Sequence, residues 1–272
     1  MPLKTRKLKL KLIFSVVSIL LFVFVSKAQK TDTIIPIQKD PEIILRNIDI
    51  KNITRNGFNF WQDDFSGHWA GIDFGFNTLI NTDYSGYESN FMKNDILRSN
   101  SLYINLIQQS IGLQRNRNTI GLVTGLGMHF QSYRLDQNTT IELNSNDIIV
   151  PKTLYFDDNQ KSKLSIFSLT LPILAEFQIP INNYKNRFYF SAGPYFSYRI
   201  SSHTKIKYRT VQKEKLKIPD HYSLHDFKYG MMVRTGYRWL NVFASVEFNQ
   251  VFMDKKGPEL TPFTFGFTLL RF

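Results

Sequence analysis

HWAGIDFGFNTLI, His68–Ile80, alternates with a period of two. Its even positions carry Ala70, Ile72, Phe74, Phe76, Thr78 and Ile80, and its odd positions include Gly71, Asp73, Gly75 and Asn77. Successive side chains of a strand point to opposite faces, so the stretch predicts a strand with one apolar face and one polar face studded with glycine.

The same signature recurs along the chain. In TIGLVTGLGMHFQSY, Ile120, Leu122, Leu126, Met128 and Phe130 oppose Gly121, Gly125, Gly127, His129 and Gln131. RFYFSAGPYFSYRI sets Phe188, Phe190 and Phe196 against Tyr189, Ser191 and Gly193, and DFKYGMMVRTGY sets Tyr229, Met231 and Val233 against Lys228, Gly230 and Arg234. Further strands fit around Leu102–Leu113, Leu164–Gln178, Leu240–Asn249 and Phe263–Phe272, which brings the expected total to eight.

The connections alternate in length. RNRN, PINNYKN and YRWL are tight, whereas roughly Asn81–Asn100, Leu135–Ser162, Ser202–His221 and Gln250–Thr261 are long and polar. A soluble sandwich or a lipocalin-like barrel would also alternate, but its greasy side points inward. Here the face opposite the apolar one combines charged residues with many glycines, as a narrow, crowded lumen requires. The expected fold is therefore all-β: an eight-stranded antiparallel transmembrane up-and-down β-barrel over residues 67–272, with short periplasmic turns and long external loops.

FTFGFTLLRF, Phe263–Phe272, suits a closing strand whose Phe263, Phe265 and Phe267 meet lipid. Phe272 is read as the aromatic assembly signal of that strand. Leu270 and Phe272 have the opposite parity to those rings, so either a bulge near Leu269 resets the phase or Phe272 points inward.

At the other end, Lys4, Arg6, Lys7, Lys9 and Lys11 precede the apolar run Leu12–Val25, followed by Ser26 and Ala28 at small-residue cleavage positions. Residues 1–28 are expected to be a cleaved signal peptide, which directs the chain to the outer membrane. Residues 29–66, with Pro36, Pro41 and only brief apolar patches, are expected to be a periplasmic segment. The formal charge of +12 is half accounted for before residue 29, where Lys27 joins those five cations, so it argues weakly for nucleic acid and none is expected as a partner. Cys 0 excludes disulfides, thiolate catalysis and sulfur-ligated metal.

FSGHWAGIDFGFN, GLVTGLGMHFQSYRLDQN and FYFSAGPYFSYRISSHTKIKY resemble three sequence blocks of the PorT-like outer-membrane β-barrel (porin-like) family of Bacteroidetes. The resemblance covers roughly Gly67–Phe272. It implies an outer-membrane barrel and little biochemistry; one branch of that family takes part in the secretion of other proteins. The expected partners are outer-membrane lipid and lipopolysaccharide, the barrel-assembly machinery, and other envelope or secretion proteins.

Chemistry is sparse. Of His68, His129, His203, His221 and His225, only the last two stand four apart, in a segment read as loop to strand, so the five are read as solvated or interfacial. Asp63 with Asp64, and Asp157 with Asp158, are read as solvated loop acids. A surface hydrolase would need His129, Ser132 and Glu247 to converge, but no nucleophile motif marks them. No catalytic residue, metal or cofactor is expected. The basic run His203–Lys217 is read as a twisted hairpin with solvated lysines, or as a contact for lipopolysaccharide phosphates.

The charges of the polar face carry the most information. Asp73, Glu176, Arg187, Arg199, Lys228, Arg234 and Glu247 all point into an interior just wide enough to be filled by side chains, where a charge must be paired. A two-residue turn flanked by Gly236 and Trp239 places Lys228 directly opposite Glu247. The expected function is a non-enzymatic integral outer-membrane scaffold, binding or secretion-associated protein with a filled lumen. A narrow porin for small solutes and a surface hydrolase are the alternatives.

Overall fold

The period-two segments form strands that close on one another in a computed structural model describing residues 65–272, apart from 88, 115–117, 156–159, 182–185 and 210–212. The expected signal peptide and nearly all of the expected periplasmic segment lie outside the described residues, as do Asp63, Asp64, Asp157 and Asp158. Among the described residues eleven strands are formed: β1 Gly71–Asp83, β2 Asn100–Gly112, β3 Ile120–Arg134, β4 Thr139–Leu143, β5 Ile149–Thr153, β6 Lys161–Ile181, β7 Asn186–Arg209, β8 Lys213–Pro219, β9 Phe227–Tyr237, β10 Leu240–Glu247 and β11 Glu259–Arg271.

Eight of them form a ring. In one sheet β6, β3, β2, β1, β11, β10, β9 and β7 are neighbours in that order, and β6 also pairs with β7, so no edge is left open around the circuit. The ring pairings are antiparallel. β8 extends the hairpin begun by β7, and β4 with β5 form a separate hairpin in the long connection between β3 and β6.

The two faces separate as the alternation demands. Leu122, Leu126, Ile173, Phe177, Phe190, Tyr229, Val242, Phe265 and Phe267 are exposed on the outside, whereas Asp73, His129, Thr170, Glu176, Ser191, Lys228 and Arg234 are buried inside. The outer rings also meet across strands: Phe130 stacks on Phe167 at 4.7 Å, and Phe74 lies 6.0 Å from Phe267.

At the closing seam, Asp73 pairs with Thr268 but Ile72 pairs with Leu270, so Leu269 is an extra residue on β11. This bulge resolves the parity conflict. It returns Leu270 and Phe272 to the outer face, where both are exposed.

The tight turn between β9 and β10 differs from expectation by one residue on each side. Tyr237 and Leu240 flank it, with Arg238 in the left-handed region at φ 56, and Glu247 faces Gly230 rather than Lys228. A slip of two keeps every side chain on its own face. Lys228 and Glu247 therefore still share the lumen, as diagonal neighbours.

The long-loop end holds a core of its own. Phe91 and Met92 from the β1–β2 loop, Ile141 and Ile149 from the β4–β5 hairpin, Tyr222 and Leu224 before β9, and Val251 and Phe252 after β10 pack into one cluster with Tyr133, Leu164 and Leu260 of the barrel wall. Burial in this cap pushes the Tyr84 phenol up to about 12. Long polar loops were expected there; instead apolar residues spaced through four connections meet above the barrel mouth.

Candidate functional site in the barrel lumen

The chain enters the barrel before it becomes a strand. Residues 65–70, part of which the sequence suggested as the start of the first strand, run inside the ring ahead of β1. Gln108 of β2 holds them by their backbone: its Oε1 accepts from the N–H groups of Trp69 (2.6 Å) and Ala70 (2.8 Å), and its Nε2 donates to the Gly67 carbonyl at 3.0 Å. Ser110 Oγ accepts from the Gly67 N–H, and Gln178 Nε2 donates to the Ser66 carbonyl.

Two rings of this plug fill the space opened by glycines of β3. A Cβ on Gly121 would lie 2.5 Å from Phe65 Cδ1, and one on Gly125 would lie 2.5 Å from Trp69 Cδ1. These glycines are the counterpart of the plug. Phe65 and Trp69 join Tyr103, Val123, Leu174, Tyr195, Met232 and Phe243 in a buried luminal cluster. Backbone polar groups of a non-strand segment need partners when they leave water, and the luminal glutamines and serine supply them.

Above and below the plug the charges pair. Asp73 is the acceptor centre of the lower lumen: Arg234 donates from both terminal nitrogens, at 2.7 and 3.0 Å, Asn105 Nδ2 donates at 2.8 Å and Thr268 Oγ1 at 2.6 Å. The Arg234 guanidinium also lies 5.2 Å from the Trp69 ring and 5.8 Å from that of Phe243. One arginine thus ties the plug to β1, β9 and β11.

Toward the long-loop end, Lys228 Nζ lies 2.9 Å from Glu247 Oε2, and Gln131 Nε2 donates to Glu247 Oε1 at 3.1 Å. The ammonium is close to its carboxylate without being aligned for a hydrogen bond, so the attraction there is Coulombic. Arg199 pairs with Asp226 at the mouth and also donates to Ser202 Oγ and to the Leu224 carbonyl. Arg187, at the short-turn end, donates to the Asn118 carbonyl and to Gln178 Oε1. Six of the seven expected luminal charges thus meet a polar or charged partner, and the seventh, Glu176, accepts from Gln178 Nε2 and lies against His68.

Two histidines depart from the solvated reading. His68 Nδ1 lies 2.6 Å from Glu176 Oε1, and its ring stacks on Tyr189 at 4.1 Å. His129 is buried against Tyr103 at 3.7 Å, with Nε2 at 2.6 Å from Ser101 Oγ. Ser132 lies on the alternate parity of β3, so His129, Ser132 and Glu247 do not converge; His129 meets Ser101 and Glu247 meets Lys228. His221 is exposed beside Asp220. The plug itself went unread in the sequence. Its available signal was the pair of inward glycines on β3, a missing volume that something else had to fill.

A family model described as the outer membrane protein beta-barrel domain matches residues 61–254. The chain belongs to that family. It is an integral outer-membrane protein built on an all-β ring of eight strands. The match begins just ahead of the plug and stops short of the closing strand β11. Neither the curated proteins nor the solved structures searched for similarity gave a match.

Proposed function

We propose that this outer-membrane barrel is a non-enzymatic, non-conducting scaffold that presents its folded cap at the cell surface. The observation that carries the reading is the double closure of the lumen, by the plug of residues 65–70 at one end and by the apolar cap at the other. Eight strands leave an interior that side chains can fill, and here rings and paired charges fill it.

In this reading the short turns are periplasmic, the long-loop end faces outward, residues 1–28 are a cleaved signal peptide and residues 29–64 lie in the periplasm. Phe272, outward on the closing strand, is the assembly signal read by the barrel-assembly machinery. The likeness of three sequence blocks to PorT-like barrels supports a place in that family, and a role beside other envelope or secretion proteins is one that family offers. Planar-bilayer recording on the purified protein tests the central claim. The expected trace is flat, and reproducible open-channel steps from the unmodified protein would replace the scaffold by a narrow solute pore.

A further inference from the structure

The outer face of the β6–β7–β8 extension carries a ladder of like charges. Cross-strand register places Arg134, Lys163, Lys205 and Lys217 directly opposite one another across β3, β6, β7 and β8. Two residues further out, Lys161, Lys207 and Lys215 form a second row. These positions alternate with buried Ser162, Leu164, Thr204 and Ile206, so all of them belong to the outward face.

Like charges opposed on a sheet repel, and the sequence gains nothing structural from stacking them. Among the described residues no ion pair of 4.0 Å or less ties any of the seven to a carboxylate. Of the acids nearby, Asp95 pairs with Arg98 and Asp136 with Lys93 at the Arg134 edge, and Glu214, beside Lys215 but of opposite parity on β8, accepts from the Tyr208 hydroxyl. The ladder is therefore a concentrated cationic surface, about 14 Å across its four strands at the usual strand spacing.

Its height on the barrel is informative. The outward apolar positions of β6 run from Phe167 to Ile181, which spans about 35 Å along the barrel axis at the usual strand rise and tilt, enough to cover the roughly 25 Å apolar band of an outer membrane with an excess at the short-turn end, where Ile181 pairs with Asn186; Phe167 is the outer edge of that band. Lys163 lies four residues beyond Phe167, about 10 Å above the edge of that band. That is the level of lipid headgroups, and the ladder faces them laterally.

We infer that this ladder binds the phosphate groups of a phosphorylated glycolipid headgroup in the outer leaflet, the two rows of cations bridging more than one phosphate. The inference rests on the outward orientation proposed above. Lysine acts as a point charge toward phosphate, so a cluster is needed where a single arginine fork is absent.

The test uses the full-length protein in phosphatidylethanolamine nanodiscs, titrated with diphosphoryl lipid A, with monophosphoryl lipid A and with inorganic phosphate. The variant is Lys163→Gln/Lys205→Gln/Lys217→Gln. Each lysine near an anionic surface is worth roughly fivefold in affinity, so the triple variant is expected to lose about 100-fold for the diphosphoryl lipid. The parent should prefer the diphosphoryl over the monophosphoryl form and should weaken with salt. Removing opposed like charges relieves repulsion, so the variant's melting temperature without lipid should equal or exceed the parent's, which separates lost binding from lost folding. Equal binding by parent and variant would overturn the inference, as would displacement of the lipid by inorganic phosphate at matched concentration.

Orientation is read separately. The chain has Cys 0, so Lys217→Cys labelled by a membrane-impermeant maleimide on intact cells reports which side the ladder occupies. Labelling outside with no lipid preference overturns the ladder alone; labelling only after the outer membrane is opened overturns the orientation and the leaflet together.

Discussion

Asp73→Asn is the substitution that most directly questions the luminal network. The carboxylate takes four donated hydrogen bonds, two on each oxygen: Arg234 and Asn105 on Oδ2, and Arg234 and Thr268 on Oδ1. An asparagine has one acceptor oxygen, so in either flip its NH₂ faces an Arg234 nitrogen that can only donate. The guanidinium, with 2% of its side chain exposed, is left without its counter-charge. Breaking a buried pair from one side costs about 3–5 kcal/mol, because the remaining charge stays desolvated. Arg234→Met should cost somewhat less, since Asn105 and Thr268 still serve Asp73, but it also gives up the contacts over Trp69 and Phe243. In Asp73→Asn/Arg234→Met no ion is stranded and the methionine stem keeps most of the volume. The double variant should recover most of the loss, leaving a coupling of about 2–4 kcal/mol. Urea unfolding in lipid vesicles, followed by tryptophan emission, measures this; a loss of about 4 kcal/mol shifts the midpoint by roughly 1–2 M at an ordinary m. An Asp73→Asn barrel within about 1 kcal/mol of the parent, or single effects that simply add in the double variant, would refute the idea that this pair is desolvated and coupled.

Lys228→Met and Glu247→Gln should be unequal, since Glu247 keeps its bond from Gln131 while the Lys228 ammonium has no other polar partner among the described residues; the glutamine variant should unfold at the lower urea concentration. Gly121→Val should drive a side chain into Phe65 and the plug, costing about 1–3 kcal/mol as overpacking does, and a Phe65→Ala partner should relieve part of it in the same unfolding assay. Phe65→Ala/Trp69→Ala empties the lower luminal cluster, and bilayer recordings should then show transient leak steps that the parent lacks. Phe272→Ala should reduce recovery in the outer-membrane fraction more than Tyr155→Ala, a loop ring that is 90% exposed; equal recovery would remove Phe272 from assembly.

The ring was legible because its signal is redundant. Each of eight strands repeats the same two-sided pattern, and the membrane makes the apolar side the outer one, so no single residue had to be read correctly. The bulge at Leu269 was legible for the same reason, as a break in phase. What the alternation could not convey is register to better than two residues, and the β9–β10 turn shows this: the faces of Lys228 and Glu247 followed from parity, their diagonal relation did not. The plug was hidden because residues 65–70 continue the alternation of β1 yet are held mainly by side chains, their backbone being claimed by Gln108, Ser110 and Gln178, while the Ala70 carbonyl takes a long 3.5 Å bond from the Phe272 N–H. The cap was hidden because its members, such as Phe91, Ile141, Leu224 and Phe252, are single apolar residues scattered through polar loops, and only the ring brings those loops together.

That ambiguity of two residues bears on how the barrel closes. β1 and β11 are far apart in the chain, so their pairing carries a large loop-closure cost and gains little from local contacts. A slip of two along this seam would leave every apolar ring facing lipid and every polar group facing the lumen, so hydrophobic burial discriminates poorly between the closed registers. The luminal network does discriminate. Asp73 on β1 must meet Thr268 on β11 while Arg234 of β9 and Asn105 of β2 reach the same carboxylate, and Asn77 Oδ1 must accept from Thr264 Oγ1 four residues further along the seam. In a slipped seam these donors and acceptors would miss each other inside a space that excludes water, and each miss would cost a buried unsatisfied group. The charges inside this barrel are therefore placed where they select one closure of the ring, and the plug they hold is the element that removes the room for any other arrangement.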